Sequence, residues 1–149
     1  MDDVVWMKEA YAEAKLAFGI GEVPIGCVIV RQSEIIGRGH NLRATEKNVL
    51  YHAEMIAIDQ ACSSLEDWRL EDCRLYVTIE PCAMCAGAML QARIPVVVFG
   101  AKSPKAGCAG SVLNLLEEPR FNHQAQVISG VYEEACAALM MDFFLRFRN

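Results

Sequence analysis

Residues 74–100 read RLYVTIEPCAMCAGAMLQARIPVVVFG. They contain two apolar runs, residues 74–79 and 95–100, which are nearly continuous in the way that interior strands usually are. The segment between them, residues 81–91, is rich in Ala and Met and predicts a helix, since Pro81 is tolerated in a first turn that needs no amide donor. These residues therefore predict a strand, a helix and a second strand at the centre of a sheet.

The segments on either side of this unit show further helical and strand patterns. Small apolar residues recur at three- and four-residue spacing behind Asp3, which predicts a helix that Asp3 caps. The predicted helices cover residues 3–18, 52–62 and 133–147, and the predicted strands cover residues 25–31, 34–41 and 126–129. The fold class is therefore α/β, a three-layer α/β/α arrangement with a five-stranded mixed sheet that opens with a hairpin.

The length and composition favour one globular domain. The chain has 149 residues, the usual size of a single domain, so we expect residues 1–149 to form one. The 54% hydrophobic content excludes a disordered chain, and no uncharged apolar stretch reaches the ~18 residues that a membrane crossing needs. The N-terminus is acidic and lacks the apolar region of a secretory signal. We therefore expect a soluble, cytoplasmic protein that does not bind membranes.

The charge of the chain bears on whether it binds nucleic acid. A net charge of −5 argues against such a partner, because phosphate groups are bound by Lys and Arg. The charge is unevenly distributed, however: residues 81–116 contain no acidic residue and three basic ones, Arg93, Lys102 and Lys105. A locally basic face on an acidic protein remains compatible with RNA binding.

The cysteines indicate a reduced protein. Their number, seven, is odd, and the chain is large enough to fold without cross-links, so we expect no disulfides. Cys27, Cys62 and Cys136 fall within apolar strand or helix patterns, and we expect them to be buried as small hydrophobic residues.

Two short segments carry the residue types of a zinc site, His52-Ala53-Glu54 and residues 81–85. Cys82 and Cys85 are three residues apart, so at the start of a helix their sulfurs share one face and can bind one ion. The positive end of that helix stabilises thiolates, and His52 supplies a third ligand if its own helix begins there. Three protein ligands leave one position for water, which is typical of catalytic zinc, and Glu54 is then suited to moving protons.

Other interpretations of these residues remain open at this point. The Cys82 and Cys85 pair alone is equally compatible with a redox motif or with chance packing. A structural zinc site needs a fourth ligand of the same kind, and Cys73 and Cys108 are the candidates. The combination of both segments, one at each of two predicted helix starts, favours the catalytic site.

Several motifs spread over almost the whole chain carry a family resemblance. They are residues 22–26, 39–41, 52–54, 75–89, 105–111, 121–123 and 143–144. On these motifs the sequence resembles the cytidine deaminase superfamily and, more closely, the bacterial tRNA-specific adenosine deaminases. The resemblance implies a cytidine-deaminase-like fold, one Zn²⁺ per chain and a homodimer. It also implies hydrolytic conversion of adenosine to inosine, with release of ammonia, at the wobble position of an arginine tRNA with the anticodon ACG.

The resemblance assigns roles to single residues as well. Glu54 moves protons between water, the adenine ring and the leaving amine, and Asn41 corresponds to a residue that hydrogen-bonds the purine. Lys105 lies in a loop that approaches the RNA backbone. The final helix contacts the anticodon arm of the tRNA through Phe144, Arg146 and Arg148.

Helical spacing places Phe143 and Phe147 in the core and leaves Phe144 as the exposed aromatic residue.

Two positions depart from the family pattern. Tyr51 stands directly before His52, where relatives often have Ala, and its bulk would alter the pocket wall. Ser103 stands where many relatives have Asp, which would remove one RNA contact of that loop.

Two other functions are compatible with the sequence. A deaminase of a free base or nucleoside, of the guanine or cytosine type, would use the same zinc site and would fit the acidic net charge better. A zinc-stabilised RNA-binding module without catalysis would need the three ligands but not Glu54. The predicted partner is a tRNA anticodon arm, and we expect no DNA partner.

Overall fold

The computed structural model describes residues 2–147, in which helices surround a five-stranded sheet. The helices are α1 (Asp3–Gly19), α2 (Arg43–Glu46), α3 (Ala53–Leu65), α4 (Ala83–Gln91) and α5 (Glu133–Phe147). The strands are β1 (Gly26–Arg31), β2 (Glu34–His40), β3 (Arg74–Ile79), β4 (Val96–Ala101) and β5 (Gln126–Ile128). The strand order is β2-β1-β3-β4-β5, with antiparallel pairing of β1 to both neighbours and parallel pairing beyond β3. The predicted mixed sheet is confirmed.

Successive strand residues point to opposite sides of the sheet, and helices cover both of its faces. On one face Ile29 of β1 and Leu75 of β3 lie in a core cluster with residues of α3 and α4. On the other face Val28 and Tyr76 lie in a cluster with Met7 of α1 and Cys136 of α5. The arrangement is therefore the predicted three-layer α/β/α fold.

The direction of the strands brings two distant parts of the chain together. Both β2 and β3 run antiparallel to β1, so their carboxyl ends lie at the same edge of the sheet, on either side of β1. Asn41 directly follows β2, and Glu80 directly follows β3. The helices α3 and α4 start from the segments beyond these two residues, so their N-termini approach the same edge.

The short helix α2 has no counterpart among the predicted elements. Four residues contain too little periodicity to be recognised in a sequence. The position of α2 depends on a residue about 20 positions earlier, since the N–H and the hydroxyl of Thr45 each donate a hydrogen bond of 2.6 Å to Oε2 of Glu22.

Two details at helix ends differ from the prediction. The residue that caps α1 is Asp2, whose Oδ1 accepts the Val4 N–H at 3.0 Å, whereas Asp3 accepts a hydrogen bond of 2.7 Å from the Tyr76 hydroxyl. Phe143 is buried as predicted, at 7% exposure, but Phe147 is 50% exposed. The prediction for Phe147 is wrong because this residue lies in the last turn of α5, at the edge of the packed layer.

The burial of the cysteines agrees with the prediction at two of the three positions. All seven cysteines are free, and Cys27 and Cys136 are buried, while Cys62 is only partly buried. Between residues 2 and 147, the chain forms no helix with both the length and the apolar character that a bilayer crossing requires.

Candidate active site

The N-termini of α3 and α4 meet at the edge of the sheet. His52 is the residue directly before α3, and Cys82 is the residue directly before α4, each with an extended backbone. Neither side chain caps its own helix, so both are available for other contacts. The Nδ1 atom of His52 lies 3.7 Å from Sγ of Cys82 and 3.5 Å from Sγ of Cys85. The three predicted ligands are thus brought together.

These distances fit a zinc ion. Bond lengths of about 2.0 Å to nitrogen and 2.3 Å to sulfur at tetrahedral angles place the nitrogen and sulfur atoms about 3.5 Å apart. The two separations between His52 and the cysteine sulfurs agree with that value. Within the described residues the ligand group contains three side chains and excludes Cys73 and Cys108. The donor set therefore leaves a fourth position for a ligand from outside the protein, as in catalytic rather than structural zinc sites.

The electrostatics of the two cysteines favour metal binding. The Cys85 thiol donates a hydrogen bond to the Cys82 sulfur, and together with backbone N–H groups and the nearby His52 this contact lowers the pKa of Cys82 to about 5, although burial opposes the shift. The same hydrogen bond, together with burial, raises the pKa of Cys85. Cys82 is therefore a thiolate at neutral pH, and Cys85 carries the proton that a bound metal ion would displace.

Glu54 lies in the first turn of α3, where it is only 4% exposed. Burial is the main cause that raises the pKa of Glu54 to about 7, and the negative charge of Cys82 adds to the shift. A carboxyl group with a pKa near neutrality can both accept and donate a proton, as a general acid–base catalyst must. Glu54 does not belong to the ligand group, and its carboxylate lies within hydrogen-bonding contact of the Cys85 thiol, beside the ligands.

A cavity opens beside the ligand group. It is lined by Val23, Ile25, Asn41, Arg43, His52, Ala53 and Glu54. The backbone N–H of Arg43 donates to Oδ1 of Asn41 at 3.2 Å, and Nδ2 of Asn41 lies 3.5 Å from the Val23 carbonyl oxygen. These contacts hold the Asn41 amide at the cavity wall, beside Glu54 and His52. Such a small cavity with a few convergent polar groups is typical of a ligand site.

Arg43 is a cavity residue that the sequence interpretation missed. The signal that could have found it is its position two residues after Asn41, at the start of a segment with no predicted structure. Its guanidinium group also stabilises the charge of Glu22, the carboxylate that holds α2.

Three other predicted RNA-binding residues, Lys105, Phe144 and Arg146, lie outside this cavity. Lys105 is exposed on the loop that follows β4. Phe144 is 49% exposed on α5 and contacts Phe143 edge to face, with ring centroids 5.5 Å apart. Arg146 is exposed, forms an ion pair of 3.1 Å with Asp142 and lies over the ring of Phe18. Arg148 lies outside the described residues.

The fold and this site together define the class of cytidine-deaminase-like deaminases. The model of the MafB19-like deaminase family matches residues 1–148. The chain belongs to this family, in the branch of the tRNA-specific adenosine deaminases. The tRNA-specific adenosine deaminase of Bacillus subtilis strain 168 is 57% identical over 147 residues, which cover 99% of this chain and 91% of that protein.

Two solved structures extend the comparison. The first comes from a study of A-to-I editing by tRNA:A34 deaminases at the wobble position of transfer RNA. It is 39% identical, has a TM-score of 0.86, and the match covers 90% of this chain and 97% of that one. The second is a guanine deaminase from Bacillus subtilis with 38% identity and a TM-score of 0.65, over 68% of this chain and 66% of that one. The fold is thus common to deaminases of different purines.

Proposed function

We propose that this protein hydrolyses the wobble adenosine of a tRNA anticodon to inosine and releases ammonia, with the arginine tRNA of anticodon ACG as its substrate. The observation that carries the proposal is the placement of Glu54 in the cavity that also presents Asn41 and His52. The likeness to tRNA-specific adenosine deaminases over nearly the full length of the chain supports the choice of adenosine in tRNA.

The residues of the site divide the chemistry between them. A zinc ion held by His52, Cys82 and Cys85 would supply a hydroxide nucleophile near neutral pH. Glu54 takes the proton of the attacking water and delivers it to N1 of adenine while the new C6–O bond forms. Glu54 then takes the proton of the new C6 hydroxyl group and gives it to the amine as the C6–N bond breaks, so that water and adenosine give inosine and ammonia.

The substrate must enter the cavity as a single base. Asn41 holds the purine ring by hydrogen bonds from its amide, which the contacts to Arg43 and Val23 keep in place. An adenine stacked within a helix cannot reach Glu54, so the nucleotide has to turn out of its stack. An anticodon loop permits this movement at low cost, because its bases are already unpaired.

The proposal includes contacts outside the cavity. Lys105 binds the RNA backbone, and the anticodon arm is held by Phe144, Arg146 and Arg148. A homodimer and a cytoplasmic location belong to the same proposal. Support for a dimer comes from Val49, Leu50 and Tyr51, three consecutive exposed apolar side chains directly before His52, since such surfaces are commonly buried in interfaces.

A guanine deaminase is the second candidate, favoured by the likeness to the Bacillus subtilis guanine deaminase. One experiment separates the two. The zinc-loaded protein is incubated with arginine tRNA of anticodon ACG and, separately, with free guanine, adenosine and cytidine. We expect inosine at the wobble position and no turnover of the free compounds, whereas turnover of guanine without editing of the tRNA would contradict the proposal.

A further inference from the structure

The loop that follows β4, residues 102–111, is folded around one buried carboxylate, that of Glu80. Glu80 is only 4% exposed. Its oxygens accept hydrogen bonds of 3.0 Å from three backbone N–H groups, those of Ser103, Ala109 and Ser111, and a further bond from the Ser111 hydroxyl. The donors come from both ends of residues 102–111, which we call the 102–111 loop. A single side chain therefore holds both ends of this loop.

The middle of the loop is also in contact with the carboxylate. A Cβ atom added to Gly107 would lie 2.3 Å from the carboxyl carbon of Glu80, so only glycine allows this approach. The backbone N–H of Cys108 donates to the carbonyl oxygen of Pro81 at 2.8 Å. The 102–111 loop is thereby joined to the two residues that directly precede the ligand Cys82.

The 102–111 loop carries Lys105 on its exposed side. We propose that Glu80 is a positioning residue for RNA binding: it holds the 102–111 loop against the Cys82 segment, so that Lys105 stands at a fixed place relative to the cavity. This inference rests on the proposed function. Glu80 touches neither the substrate nor the ligand group and acts through the loop.

The central test is Glu80→Gln, which keeps the size of the side chain but replaces one acceptor oxygen by an NH₂ group. The amide cannot accept the loop N–H groups on that side, and the charge that strengthens all four bonds is lost. We expect KM for the tRNA to rise about tenfold, while kcat and the zinc content stay within about twofold of the wild type. The substitution makes the protein less negative, which by itself would favour RNA binding, so the expected rise has the opposite sign to a general charge effect.

Three further variants complete the design. Glu71→Gln makes the same charge change on an exposed residue outside the 102–111 loop and is expected to leave KM unchanged. Ser111→Ala removes one of the four hydrogen bonds and is the substitution that should disturb folding least. If Glu80→Gln is insoluble, a smaller rise in KM in Ser111→Ala supports the inference. In a Lys105→Ala background, Glu80→Gln is expected to change KM less than twofold, because the contact that it positions is already absent.

An unchanged KM in both Glu80→Gln and Ser111→Ala would overturn the inference. So would a fall in kcat together with loss of zinc, which would mean that Glu80 supports the ligands rather than the loop. A wild-type protein that makes no inosine in tRNA would instead contradict the proposed function. In that case direct binding of the anticodon arm, measured by fluorescence anisotropy with the same variants, tests the role of Glu80.

Discussion

Replacing Glu54 by Ala is the sharpest test of catalysis at this site. The carboxyl group lies in the cavity beside His52 but outside the ligand group, so its removal leaves all three ligand side chains in place. A positioned acid–base group contributes about 10² to 10⁴ in rate. Since the proposed reaction uses Glu54 for several proton transfers, we expect a loss near 10⁴-fold, equivalent to about 5.5 kcal/mol at 1.36 kcal/mol per factor of ten.

The measurement is the rate of inosine formation in tRNA under single-turnover conditions, with zinc content determined on the same sample. Glu54→Gln is tested in parallel, because it removes the acid–base function without leaving a void. Asp59→Asn is the matched control, since it makes the same charge change on an exposed residue of the same helix and should keep full activity.

Two results would refute the reasoning. A Glu54→Ala protein that retains more than about a tenth of the wild-type rate would show that another group moves the protons. A protein that loses its zinc would show that Glu54 acts as a ligand or holds one. If the protein is an RNA-binding module without catalysis, the wild type should bind tRNA, but neither the wild type nor any variant should form inosine.

Three further predictions concern the metal, the core and the final helix. A chelator is expected to abolish inosine formation and to lower the melting temperature by roughly 5 °C or more, with recovery of both on addition of Zn²⁺; full activity in demonstrably metal-free protein would contradict this. Gly37→Ala should lower the free energy of unfolding in urea by about 2 kcal/mol or more, because its Cβ would lie 2.3 Å from the Ala57 carbonyl oxygen. In the control Gly87→Ala the new Cβ has no atom within 4 Å, and the free energy of unfolding should rise by about 0.5 to 1 kcal/mol. Equal effects at the two glycines would count against the packing argument. Phe143→Ala should lower the free energy of unfolding by about 3 kcal/mol, because Phe143 is buried. Phe144→Ala should leave stability nearly unchanged but weaken binding of the anticodon arm by about 1 to 3 kcal/mol, measured by fluorescence anisotropy. A larger loss of stability in Phe144→Ala than in Phe143→Ala would contradict the placement of Phe143 in the core and Phe144 on the surface.

Most of the secondary structure was predictable, because the patterns that specify it are local. The continuous apolar runs of β3 and β4 and the Ala-rich segment of α4 can be recognised within windows of six to ten residues. The features that were not predicted, or were predicted wrongly, are not specified by such local patterns. The helix α2 depends on Glu22, about 20 residues earlier in the chain, and Phe147 is half exposed because it lies in the last turn of α5. Neither feature can be recognised from the spacing of apolar residues alone.

The predicted metal site also rests on a local pattern, since His52, Cys82 and Cys85 have the residue types and spacing of metal ligands, with Glu54 two residues after His52. The sheet determines whether these side chains lie close together. The imidazole of His52 reaches sulfurs 30 and 33 positions further along the chain only because β2 and β3 point in the same direction on either side of β1. The Glu80 contacts of the 102–111 loop have no local signature, because a buried carboxylate finds its N–H partners only after the strands and helices have packed.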